Sequence, residues 1–258
     1  MRLLNSGNIY VHIDKKSPIK ISELTVDPRV HVYKEFSVKW AQWSMISTID
    51  FLANKALEDG ATRITLISGV SFPILNSVEL RKRMESGLDY FDATVVTRKT
   101  TLTKMGRRFT QRTIGLKMQN SFFPRLIRMV IRRILRLLPK LDFEKDLSGL
   151  KLYVGSAYWS VTRETYLKSK ELLERNPNIE SYFKKIEFSD ESFFVSLFAA
   201  TSANHINQGT TFVKWSGRGR PLPLTDFEIR EQMRIGKYWF VRKIYSNQIK
   251  ELPSLNEI

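Results

Sequence analysis

LKLYVGSAYWSVTRE, residues 150–164, and FSDESFFVSLFAA, residues 188–200, decide how the chain folds. Leu150 to Val154 reads as a strand running into a tight Gly155–Ser156 turn. Tyr158 and Trp159 follow. Thr162–Arg163–Glu164 then opens a helix. In the second stretch Ser189–Asp190–Glu191 is the mouth of another helix, followed by an apolar run from Phe193 to Ala200. Aromatic faces beside a tight turn suit a sugar ring, and a positioned carboxylate suits removing a proton from a hydroxyl.

Outward from this centre the pattern is that of an α/β domain. Asn8 to Ile13 is a β-rich strand whose far end carries Asp14, Lys15 and Lys16 into a loop, where open α/β sheets hold ligands. Read from the residues alone, Asp14 starts a turn before Pro18, and His12 is a packed strand residue. Val30–Tyr33, Ile64–Ser68, Phe91–Val96 and Thr210–Trp215 are further strand candidates. Ser44–Leu57, Val78–Met84 and Phe227–Arg234 have helical spacing, with Ser44, Ser77 and Thr225 or Asp226 as caps and glycines 60 and 236 near two of the ends. Tyr158 and Trp159 have two readings, as the lining of an acceptor cleft or as sheet-edge packing.

The chain has 258 residues, 42% of them hydrophobic, enough for one α/β domain with a proper core. It has no cysteine, which excludes disulfides and thiolate metal sites and fits a reducing compartment. Met1–Asn5 turn polar without an apolar stretch, so no secretory leader is expected, and no apolar run approaches the roughly 20 residues that span a bilayer. A cytoplasmic protein is expected.

The net charge of +16 is unevenly placed. No acid stands between Asp92 and Asp142, whereas thirteen lysines and arginines do. Within this gap Arg125, Arg128, Arg132 and Arg136 share one helical face opposite leucines, isoleucines and Val130. A basic amphipathic helix of this kind lies in an anionic headgroup layer at the inner membrane face. The alternative is a core helix with a solvated arginine face. Nucleic acid is the poorest of the three, because no binding module appears and aromatics are not interleaved with the basic run.

Four blocks in order resemble the core-2/I-branching glycosyltransferases, whose members include β-1,6-N-acetylglucosaminyltransferases and protein xylosyltransferases. They are IYVHIDKKS (9–17), LISGVSFPI (66–74), GSAYWSVTRE (155–164) with SDESFF (189–194), and FVRK (240–243). The resemblance implies a bacterial member with a single nucleotide-sugar transferase (GT-A-like) domain over residues 1–258. Its mostly parallel sheet is flanked by helices, a basic insertion-like segment covers 97–141, and a frayed tail covers 251–258. The family's first strand–helix unit is expected to be missing, and the family's acid is replaced at Ser71.

By the same resemblance Glu191 is the general base, and Tyr158 and Trp159 line the acceptor cleft. Asp14 helps to hold the nucleotide. Lys243, with Arg242 and one of Arg218 or Arg220, stabilises the leaving diphosphate. No metal or other cofactor is expected, which agrees with the absence of any Asp-x-Asp in the sequence. The reaction implied is inverting transfer from a UDP-sugar, N-acetylglucosamine first and xylose next, to a saccharide hydroxyl in surface glycan assembly. From the residues alone Glu191 is a capping-turn acid and Lys243 and Arg242 are surface cations. Two other classes stay open: a non-catalytic relative, and a basic membrane- or nucleic-acid-binding protein.

Overall fold

The computed structural model describes residues 7–23, 27–103, 105–113, 129–131, 133–135, 137–217 and 219–245. Its strands are β1 (Ile9–His12), β2 (Val30–Tyr33), β3 (Arg63–Thr65), β4 (Ser71–Pro73), β5 (Asp89–Phe91), β6 (Thr94–Val95), β7 (Tyr153–Val154), β8 (Ser160–Thr162), β9 (His205–Asn207), β10 (Thr211–Val213) and β11 (Phe240–Arg242). The helices that frame them are α1 (Trp43–Glu58), α2 (Ser77–Glu85), α3 (Arg163–Arg175), α4 (Pro177–Phe183), α5 (Phe193–Thr201) and α6 (Asp226–Ile235). No described helix is long and apolar enough to cross a membrane.

The α/β class expected from the sequence holds. One sheet has the order β3-β8-β5-β9 and a second β10-β11-β4, while β1–β2 and β6–β7 pair separately. The pairing is mixed, not mostly parallel: β1–β2, β10–β11 and β5–β9 are parallel, and the other described pairs are antiparallel. Each described antiparallel pair joins strands far apart in the sequence, so no local hairpin signal announced its direction. Here β5–β6 and β7–β8 run as two bent strands side by side, each strand passing to the next across a short turn. The register Thr94↔Val154 becomes Tyr90↔Ser160 beyond the bend, where an unbroken ladder would pair Tyr90 with Tyr158.

The main core lies between the four-stranded sheet and α1, α3 and α5. Trp159 and Phe198 are fully buried at its centre, with Phe91, Tyr166 and Phe194 around them. Trp159 meets Phe198 edge-on at 4.8 Å, a favoured aromatic geometry. Asp89, 2% exposed, ties strand to helix. Its carboxylate accepts from Thr162 N–H at 2.7 Å and from the Thr165 and Ser202 hydroxyls, so the start of α3 and the end of α5 converge on β5. A second apolar cluster, Phe72, Ile74, Leu224, Ile229, Val241 and Ile244, seats α6 on β4 and β11.

The helix starts were read one residue off in two cases. α1 is entered from Gln42, and Ser44 Oγ instead receives the Lys39 N–H at 2.8 Å. α2 is capped by Asn76, whose Oδ1 accepts from Glu79 N–H at 2.8 Å. Thr225, one of the two expected caps, caps α6 with Glu228 reaching back in a reciprocal box, and Thr162 caps α3. His12 is a packed strand residue: Nε2 accepts the Phe36 N–H at 3.0 Å, and burial lowers its pKa.

Candidate active site

The site is assembled around Gly155. A methyl group there would lie 1.6 Å from the Asp92 carbonyl oxygen, so only glycine fits where the 155 turn crosses the β5–β6 bend. The bend exists for the same reason. Ala93 leaves the strand ladder and donates its N–H to Asn207 Oδ1 at 2.8 Å. The Gly155 N–H is thereby aimed at the Glu191 carbonyl, 2.9 Å away. One turn thus fixes the backbone of the candidate base.

Glu191 closes a single helical turn, Ser189–Glu191, just before α5. Its carboxylate is 31% exposed, and Oε2 accepts from Arg108 Nη1 at 2.8 Å. Arg108 is a site residue that sequence reading missed. Its side chain is only 13% exposed. The guanidinium carbon sits 4.9 Å from the Phe109 ring centre and 5.4 Å from that of Phe188, a cation between two aromatic faces. The turn that delivers it, Gly106–Phe109, is tied at both ends. Gly106 lies so close to Thr100 that a methyl there would be 1.9 Å from its carbonyl oxygen, and Tyr182 OH donates to the Phe109 carbonyl at 2.6 Å. The only sequence signal was a glycine followed by two cations and an aromatic inside the acid-free gap.

Phe188 itself is held in the left-handed region, φ 57°, which is costly for a bulky side chain. It donates its N–H to Ala41, a second left-handed residue at φ 61°, at 3.1 Å. Its ring takes the edge of the exposed Trp40 at 4.8 Å. The backbone entering α1 thus braces the turn that holds the acids.

Asp190 lies beside Glu191 and is treated differently. Burial pushes its carboxyl up to about 6, the Glu191 charge adds to this, and its own N–H and Arg108 oppose it. Its Oδ1 has no partner among the described residues. Tyr158 stands near both acids. Burial raises its phenol, while the nearby Arg242 and a hydrogen bond with Ser68 pull the other way. The Arg242 guanidinium lies 5.3 Å from the Tyr158 ring centre. In the sheet Arg242 stands opposite Ser71, whose hydroxyl is 3.0 Å from that of Ser68. The position where an acid was expected in place of Ser71 is therefore the cross-strand neighbour of Arg242, one of the expected cations.

The other expected site residues are placed as follows. Trp159, with no exposed surface, packs on Tyr166, Phe194 and Phe198. It does not face a cleft, so its acceptor reading is corrected to core packing: its strand position points it inward. Asp14 sits in a turn beyond β1, accepting from Lys16 N–H at 2.9 Å, which is the main cause of its lowered pKa. Lys16 Nζ in turn reaches the Val38 carbonyl at 3.0 Å, in the stretch leading to Trp40. Lys243 Nζ lies over the Tyr245 ring at 5.3 Å, and its carbonyl accepts from Leu224 N–H at 3.0 Å. Arg220 is exposed at the end of a loop closed by its N–H on Ser216 Oγ at 3.0 Å. Arg218 lies outside the described residues, as do Arg125, Arg128, Arg132 and Arg136.

A cavity of about 570 Å³ lies away from this constellation, lined by α1, α3 and α5 residues including Trp43, Phe51, Phe193 and Phe194. Of its acids, Asp50 is held by Tyr166 OH at 2.9 Å and by Lys170, and Glu180 pairs with Lys184. None of the described candidate site residues lines it.

A family model described as Core-2/I-Branching enzyme matches residues 5–235 of the chain. The match takes in Asp14, Arg108, Tyr158, Asp190 and Glu191 and stops short of Arg242 and Lys243. No curated protein matches the chain.

Proposed function

The chain belongs to the core-2/I-branching enzyme family and is a glycosyltransferase, and on that premise we propose that it moves N-acetylglucosamine from UDP to a saccharide hydroxyl, with inversion and without a metal. The observation that carries this reading is Glu191: a partly exposed carboxylate, fixed through its backbone by Gly155 and through Oε2 by Arg108, with an aromatic hydroxyl and a cation nearby. Such a group can take a proton in a defined direction.

The step balances simply. The acceptor O–H gives its proton to Glu191, and the oxygen's electron pair forms the bond to the anomeric carbon. The bond from that carbon to the diphosphate oxygen breaks, and its pair leaves with UDP. Attack from the face opposite UDP turns an α-linked donor into a β-linked product. Charge develops on the departing diphosphate, where fixed cations stabilise it. Arg242, Lys243 and Arg220 or Arg218 are the proposed cations, and Asp14 a nucleotide contact. Tyr158 is proposed to line the acceptor side. The basic run beside such a domain fits work at an anionic surface on which glycans are assembled.

The test is UDP release from a panel of UDP-sugars in EDTA, with UDP binding followed in the same samples. Wild type is expected to prefer one donor. Glu191→Gln should lower release by about 10²- to 10⁴-fold while still binding UDP, and Lys243→Ala should weaken UDP binding. A Glu191→Gln enzyme of undiminished activity would end the assignment of the base, and activity abolished by EDTA would end the metal-free mechanism.

A further inference from the structure

We propose that Arg108 is the positioning residue of the base, and the inference rests on the reading of Glu191 given above. Arg108 occupies one carboxylate oxygen, Oε2, at 2.8 Å. The other oxygen has no partner among the described residues. A carboxylate anchored at one oxygen presents the second in a fixed direction, and reaction rates fall steeply when a reacting group is misplaced by an ångström.

The arginine is itself fixed. Two aromatic rings lie against its guanidinium, their centres 4.9 and 5.4 Å from its carbon. Its backbone is tied by the Gly106–Thr100 contact and by Tyr182 OH on the Phe109 carbonyl. Its Nε is buried without a partner among the described residues. A surface ion pair kept only for solubility has none of these features. Lysine cannot reproduce the arrangement, because an ammonium has no plane to hold between rings and no fork to direct.

The test follows UDP release from UDP-N-acetylglucosamine with water as acceptor, so that no acceptor need be known, together with UDP affinity and thermal midpoint. Arg108→Gln is expected to lower kcat about 10- to 100-fold with the donor KM and UDP affinity little changed. Arg108→Lys should lose less. Free guanidinium at millimolar concentration should restore part of the rate to Arg108→Ala. In the Glu191→Gln background Arg108→Gln should cost nothing further, since the two act as one unit.

Several results would overturn the proposal. One is wild-type release that Glu191→Gln abolishes and Arg108→Gln leaves intact. Another is an Arg108 variant that raises the donor KM at unchanged kcat. A third is equal losses from Arg108→Gln with and without Glu191. Should Arg108→Gln not fold, Phe188→Leu loosens the same guanidinium while keeping its charge, and an unchanged kcat there overturns the proposal too. No release from wild type would remove the parent reading and this one together.

Discussion

Asp190 and Glu191 are neighbours in sequence with opposite surroundings, and the difference has a measurable sign. A carboxyl held at about 6 instead of its usual 3.8 stays protonated in the folded chain while the unfolded chain ionises. Stability is therefore intact below 3.8 and falls as pH rises towards 6, by no more than about 3 kcal/mol. Asp190→Asn should be as stable as wild type at pH 4 and more stable at pH 8, as read by denaturant unfolding at each pH. A gain of equal size at both values would sink this account. At this scale the sequence showed Glu191, because an acid pair before an apolar run is a visible pattern that the four-block resemblance could interpret. It did not show Arg108. That side chain reaches Glu191 only because Gly106 packs onto Thr100 and Phe109 onto Tyr182, contacts that no local spacing encodes. Trp159 was ambiguous between cleft and core for a related reason: strand alternation fixes which neighbours share a face, not which face is buried.

Among the elements, the β5–β6 bend and the 155 turn form one fitted pair. The Phe91–Val96 run reads as a single strand, yet it breaks at Asp92–Ala93, because Gly155 presses on the Asp92 carbonyl and Ala93 turns to Asn207. Gly155→Ala should therefore cost about 1–3 kcal/mol or more in urea unfolding, and it should depress UDP release by moving the Glu191 backbone. Gly69→Ala is the control, since a methyl there meets nothing within 4 Å. If the two substitutions cost the same, the close approach at 155 does not constrain the fold. Helix positions were legible to within a residue or two, because caps and apolar spacing are local. Sheet direction was not. It follows from which strand edges meet, and the antiparallel partners of β8, β3 and β5, both lie far from it in the sequence.

For the whole molecule, the β1–β2 pair that carries Asp14 shares no strand with the sheets that carry Tyr158 and Arg242. The pair is tied to the rest through α1 and its flanks, as by Tyr10 OH on Asp59 at 2.6 Å. The amides of Ile9–His12 and Val30–Tyr33 should exchange faster than those of Ser160–Thr162, which lie inside a four-stranded sheet. Saturating UDP should slow the first group more than the second, by hydrogen-exchange mass spectrometry, if Asp14 touches the nucleotide. Equal protection of both groups would remove Asp14 from the donor site. Composition and motif order made the fold class legible, whereas this division into separate pairs depends on which strand edges meet. The hydrogen bond from Phe188 to Ala41 carries a consequence for how the enzyme comes into being. It joins two left-handed residues across most of the chain, so its closure entropy must be met before it holds anything. A ribosome that has released only the first strands and α1 has made half of a latch, and one that supplies residue 188 to a chain whose α1 is unformed has made the other half. The turn that carries Glu191 gains this brace only when both halves exist, so an unfinished or half-folded copy lacks it.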